Sequence, residues 1–128
     1  MPNFTNRYFE SMPHDPVESN YTRQVAKSML SKVTPTPVSD PRLLGYSTEV
    51  ASLLGVSHED IEGDDWLKVL SGNGTLIGME TYAHCYADHQ FGHWAGQLGD
   101  GRAIALGEIE HAGQHWELQL KGAGITPY

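Results

Sequence analysis

Cysteine is almost absent from this 128-residue chain: Cys85 stands alone. That excludes an internal disulfide and suits a reducing compartment. Positive charge is scarce too. Eight Lys and Arg face sixteen Asp and Glu, a net charge of −8, and so acidic a chain is excluded as a nucleic-acid binder, which needs a basic surface. The acidity says nothing about a small substrate, because a cationic site can be local. No apolar run approaches the roughly 20 residues of a membrane span, and Met1 to Glu10 lacks the basic-then-apolar pattern of a secretion signal. The expectation is a cytoplasmic protein with no membrane partner. Without a secretion signal, the three glycosylation sequons, at Asn3, Asn20 and Asn73, read as coincidence. Internal repeats and low-complexity tracts are missing, as are the G-x-G-x-x-G, Walker A and H-E-x-x-H patterns. The length is that of one domain, large enough to bury a core.

What is present divides into three parts. Residues 1–38 are rich in Pro, Asn and Ser, and Pro13, Pro16, Pro35 and Pro37 exclude a long helix. This part is expected to be an irregular, extended arm, with a short helix over Tyr21 to Leu30 as an option because Val25, Met29 and Val33 keep helical spacing. Residues 39–91 read as short helices and loops. Ser47 caps one helix, stopped by Gly55; Ser57 caps a second; Asp64 or Asp65 starts a third, ended by Gly72. Tyr82 to His89 is expected to form one further short helix. Residues 92–124 alternate as strands do, giving a three-stranded antiparallel sheet over about 92–121, and so an α+β fold.

The last part carries the functional signal. Arg102 to Glu110 alternates as one strand and Trp116 to Lys121 as the next, joined by a short glycine-containing loop near Ala112. That pairing brings Arg102 opposite Lys121, within a residue or two. Opposed side chains in such a pair stand about 4.5–5.5 Å apart at Cβ, where like charges repel. Gly99-Asp100-Gly101 lies beside them, and a glycine turn allows close backbone approach and can aim successive N–H groups at an anion. Two cations beside such a turn suggest a nucleotide phosphate. The plainer reading is an ordinary Asp-Gly hairpin with solvated charges at its strand ends.

The run Tyr86 to Ala103, with Leu106-Gly107-Glu108 and Leu118 to Tyr128, closely resembles the selenoprotein O family of protein adenylyltransferases. Asn6-Arg7, Tyr21 to Val25, Thr34 to Pro37 and Ser47 to Leu54 resemble it as well, so the likeness runs from about Asn6 to Tyr128. It implies a protein-kinase-like fold without the usual kinase signatures, of which this chain is an N-lobe portion. It implies an enzyme that moves AMP from ATP onto Ser, Thr or Tyr hydroxyls of protein partners. By resemblance, Gly99, Gly101 and Arg102 contact the nucleotide, and Lys121 is the counterpart of the kinase strand-three lysine. The cofactors implied are ATP and Mg2+ (or Mn2+), with the metal ligands and the catalytic aspartate beyond this chain. No residue here is expected to be catalytic or metal-binding, and the chain alone is expected to be inactive. Eukaryotic members of the family also admit a mitochondrial location. Asp88 departs from the family, which usually has Gly there.

Two other classes compete. His84, Cys85, His89 and His93 crowd into ten residues, with His111 and His115 nearby, so a small His-rich metal-binding domain is one alternative. The other is a non-catalytic interaction module using Trp94, Trp116 or Tyr128. Trp116 alternates with leucines and reads as core, while Trp66, behind two aspartates, reads as half exposed. Glu108 and Glu117 read as a solvated strand face with no role. Asp100 reads as setting its own turn through its backbone.

Overall fold

The computed structural model describes residues 1–128. In chain order the elements are β1 (Asn3–Phe4), α1 (Arg7–Ser11), β2 (Leu30–Lys32), α2 (Thr48–Leu53), α3 (His58–Ile61), α4 (Asp64–Ser71), β3 (Tyr82–His84), β4 (Ala87–Gln90), β5 (His93–Gln97), β6 (Ala103–His111) and β7 (Gln114–Lys121). The fold is mixed, with antiparallel sheets and few short helices. None of those helices is long and apolar enough to cross a membrane.

The helices obey local chemistry. Ser47 Oγ accepts from Val50 N–H and Ser57 Oγ from Asp60 N–H, each satisfying one free donor of a first turn. α4 ends at Gly72 in the left-handed conformation, closing onto the carbonyls of Lys68 and Val69. These helices bury Leu54, Val56, Ile61, Trp66 and Val69 against Leu106 and Ile109 of β6, forming the main core. Trp66 is only 4% exposed, so the half-exposed reading is corrected: its position on α4 turns the ring inward beside Val69.

The sheet centres on β6. β7 pairs along one edge of β6, while β3 and β1 share the other, and β2 continues beyond β3. The β6–β7 turn is Ala112-Gly113, both at positive φ (49° and 73°), the two-residue geometry whose twist matches a hairpin. A register shift between Ala105 and Gly107 makes Leu106 an extra residue. This bulge puts Ile109 on the same face of β6 as Ile104, which strict alternation would not, so that Ile109 joins Leu106 in the main core while Ile104 packs in a neighbouring cluster.

Four expectations are corrected. The sheet is not the three-stranded one over 92–121: β5 does not pair with β6 but with β4, in a separate two-stranded ribbon turning at Phe91-Gly92. Tyr82 to His89 is not a helix; it supplies β3 and β4. The two corrections share a cause. Leu98 and Gly99 N–H bond to Tyr86 O and Asp100 N–H to His84 O, which swings β5 away and leaves the edge of β6 to β3. Tyr21 to Leu30 is not helical: Lys27 sits at φ 56° and Leu30 already belongs to β2. The first 38 residues are not merely an irregular arm either, because β1 and β2 join the sheet and Phe9 of α1 packs on Tyr82 and Ala105.

Candidate functional site

Lys121 ends β7 and pairs with Ala103, the residue after Arg102. Arg102 itself lies in the bend before β6, where its carbonyl accepts from the N–H groups of Gly122 and Ala123. The offset from Lys121 is one residue, inside the expected range. Direct opposition is absent, however, and alternation assigns Lys121 to the face of Ala103, Ala105, Gln119 and Glu117. The ladder therefore does not force the two cations onto one face. Any convergence on a ligand must come from the bend at 99–102. Both side chains are exposed and neither makes an ion pair.

The bend is built from both sides. Gly99 is at φ 66°, and a Cβ there would collide with the Tyr128 ring. The Asp100 carboxylate accepts from His84 N–H at 3.0 Å and is buried. Asp100 thus secures its turn to β3 and not to its own backbone, which corrects the earlier reading. Thr126 Oγ1 lies against the carbonyls of Asp100 and Gly101. The N–H groups of Leu98, Gly99 and Asp100 are all taken by carbonyls. Those of Gly101 and Arg102 donate to no group of the chain, and Gly101 faces open space. The result is a held turn whose last two N–H groups have no partner in the chain, beside one arginine. The larger cavities of the molecule are lined elsewhere, so this is an open surface.

A family model described as "Protein adenylyltransferase SelO" matches residues 16–128. The chain belongs to the SelO family. It is 57% identical over 126 residues to the protein nucleotidyltransferase YdiU of Methylobacillus flagellatus, covering 98% of this chain and 24% of that protein. The YdiU proteins of Tolumonas auensis (55% over 125 residues, 98% and 24%) and Rhodopirellula baltica (51% over 126 residues, 98% and 23%) are similar over the same span. The chain thus spans about a quarter of the length of these curated relatives.

The histidines of this SelO-family chain scatter. His89 and His93 sit on the β4–β5 ribbon, His111 and His115 at the far end of the β6–β7 hairpin, and His84 beside Glu117. No three His, Cys, Asp or Glu side chains converge to hold a metal ion. Asp88 lies at a register shift within the ribbon and accepts from His89 N–H at 2.7 Å.

Glu108 and Glu117, directly opposed across β6 and β7, are not a solvated face. Glu108 is buried and bonded to Arg7 Nε (2.7 Å), Thr5 Oγ1 (2.8 Å) and His115 Nδ1 (3.0 Å). Glu117 accepts from Tyr82 Oη at 2.6 Å and meets His84 Nε2 at 3.0 Å. Burial alone would raise the Glu117 carboxyl, but the bonds from His84 and Tyr82 outweigh it and hold the carboxyl below its usual range. The same contact raises His84 above an ordinary imidazole, against its own burial. The Tyr82 hydroxyl is pushed far up by burial and by Glu117.

Sequence reasoning offered Tyr128 only as a partner-binding residue and gave Thr126 no role; it missed that both pack on the turn. Their only sequence signal is the Gly122-Ala123-Gly124 hinge, which can fold the chain back after β7.

Proposed function

We propose that this chain is the nucleotide-facing N-lobe portion of a kinase-like protein adenylyltransferase, which in its full length moves AMP from ATP onto Ser, Thr or Tyr hydroxyls of proteins. Family membership and the YdiU names support nucleotidyl transfer. The observation that carries the site is the bend itself. Gly101 and Arg102 offer two unclaimed N–H groups, and the exposed, unpaired Arg102 and Lys121 lie one register step apart. A polyphosphate suits these donors: Arg presents a planar fork, Lys a compact point charge, and charge-assisted bonds to phosphate are roughly twice as strong as neutral ones. The open space at Gly101 admits a ligand against the backbone. Gly99 serves by shape, because its missing Cβ lets Tyr128 support the turn.

ATP fits these residues. Its reactive α-phosphate and pyrophosphate leaving group supply the transfer chemistry when bound, and the chain's own groups bind and orient the phosphates. No cluster here would hold Mg2+, so its ligands are proposed to lie outside these residues, as is the catalytic acid–base group. The proposal includes that residues 1–128 alone transfer no AMP.

Mass spectrometry of the full-length protein incubated with MgATP tests the reading. AMP adducts on hydroxyl side chains should form, and should fall at least about tenfold in Lys121→Ala, the loss expected of one charged contact to phosphate. Phosphoryl adducts in place of AMP, or undiminished AMP transfer by the variant, would overturn it.

A further inference from the structure

The turn at 99–102 is supported from behind by a buried chain of hydrogen bonds. The Tyr128 ring lies where a Gly99 Cβ would be. Its hydroxyl is 2.6 Å from Ser31 Oγ, and Ser31 Oγ is 2.6 Å from Asp15 Oδ2. Asp15 is a carboxylate and accepts only, so Ser31 donates to it and Tyr128 donates to Ser31. The same Asp15 oxygen takes Arg23 Nη2 in an ion pair whose side chains are 4% and 10% exposed. Arg23 holds its loop through the carbonyls of Val17, Ser19 and Tyr21. Its backbone reaches both flanks of the turn: its N–H donates to Pro127 O, and its carbonyl accepts from the Gln97 amide, two residues before Gly99. Gln97 Oε1 accepts in turn from Val25 N–H at 2.7 Å. So the N-terminal arm grips the strand entering the turn and the segment lying on it through one buried charge pair.

We propose that Tyr128, Ser31, Asp15 and Arg23 form a clamp that fixes the glycine turn for nucleotide phosphates, with Tyr128 and Ser31 as positioning residues rather than contacts. The inference rests on the nucleotide reading of Arg102 and Lys121. The logic is preorganisation: unpaired Gly101 and Arg102 N–H groups held in a fixed turn before a ligand arrives cost no ordering on binding. The buried pair survives desolvation only because every Asp15 partner is in place. Burial would raise the Asp15 carboxyl, and Ser31, the Val17 N–H and Arg23 together hold it low. The arm is thereby kept ionised at its centre.

The test uses the full-length protein with MgATP. KM for ATP and kcat are measured for wild type, Tyr128→Phe, Ser31→Ala and the double variant, with Lys121→Ala alongside. Tyr128→Phe keeps the ring against Gly99 and removes only the hydroxyl. Each single variant is expected to raise KM roughly three- to tenfold, to leave kcat within about twofold, and to be no better than the double, because the bonds act in series. An unchanged KM in both singles, whatever their melting temperatures, would overturn the clamp. So would a double variant showing the product of the two single effects. If Lys121→Ala weakens ATP while Tyr128→Phe does not, the nucleotide reading stands and the clamp falls. If Lys121→Ala binds ATP as wild type does, the reading itself fails and the clamp with it.

Discussion

Gly99 and Gly101 sit two residues apart and answer to different demands. Gly99 is at positive φ with the Tyr128 ring against it, so Gly99→Ala must strain the backbone and displace the ring. A loss of about 2 kcal/mol is expected, read by denaturant titration. Gly101 faces open space at an ordinary φ, so Gly101→Ala should change stability by less than about 0.5 kcal/mol while weakening ATP, because the methyl occupies the ligand's side. Equal effects of the two on stability would refute this division. The His84–Glu117 pair has its own signature. His84 is raised in the folded state, so its contribution is full below the unfolded imidazole value and fades as pH climbs through the raised one. Glu117 is lowered, so its contribution is present above the unfolded carboxyl value and fades in acid. The pair therefore stabilises most between those limits. With both side chains partly exposed, the gain is about 1 kcal/mol. Stability curves of wild type and His84→Gln should converge as pH rises from 6 towards 9; a gap that stays constant would remove the pair from the account.

Elements were legible where their signals are local. The caps at Ser47 and Ser57, the Gly72 stop and the two long strands follow from side chains within four residues of each terminus. β3 and β4 were not legible. Tyr82-Ala83-His84 alternates only over three residues, and what makes it a strand is the edge of β6 it meets and the Asp100 carboxylate that takes the His84 N–H. The bulge at Leu106 was hidden as well, because it shows only when Ile109 must share the core with Leu106, three residues away on a strand. At the candidate site, the local register of Lys121 was readable from the hairpin, whereas the Tyr128 support comes from a segment folded back after Gly122 to Gly124. The hairpin turn offers an element-scale test. Ala112 holds φ 49°, a cost that Asn bears better than Ala. Ala112→Asn should therefore raise stability by about 0.5–1 kcal/mol without affecting ATP binding; a lower melting temperature would contradict the assigned turn.

At the scale of the whole molecule, an acidic chain, on the proposed reading, concentrates its nucleotide contacts at one bend. Sixteen acidic residues stand in the chain, Asp100 in the turn itself among them, yet Arg102 is the one arginine without a carboxylate partner, while Arg7, Arg23 and Arg42 are paired, and Lys121 is unpaired like the other lysines. The N-terminal arm packs on the back of the turn, and the N–H groups of Gly101 and Arg102 stay free of partners in the chain. On that reading a polyanion is held mainly by short-range charge, which salt weakens. The most direct measurement is calorimetric titration of MgATP into the full-length protein and its Arg102→Ala variant, at low and at high ionic strength. The account predicts a loss of roughly tenfold or more in affinity at low salt that narrows at high salt, with unchanged melting temperature in the absence of ligand. Equal affinities for wild type and variant at low salt would contradict it.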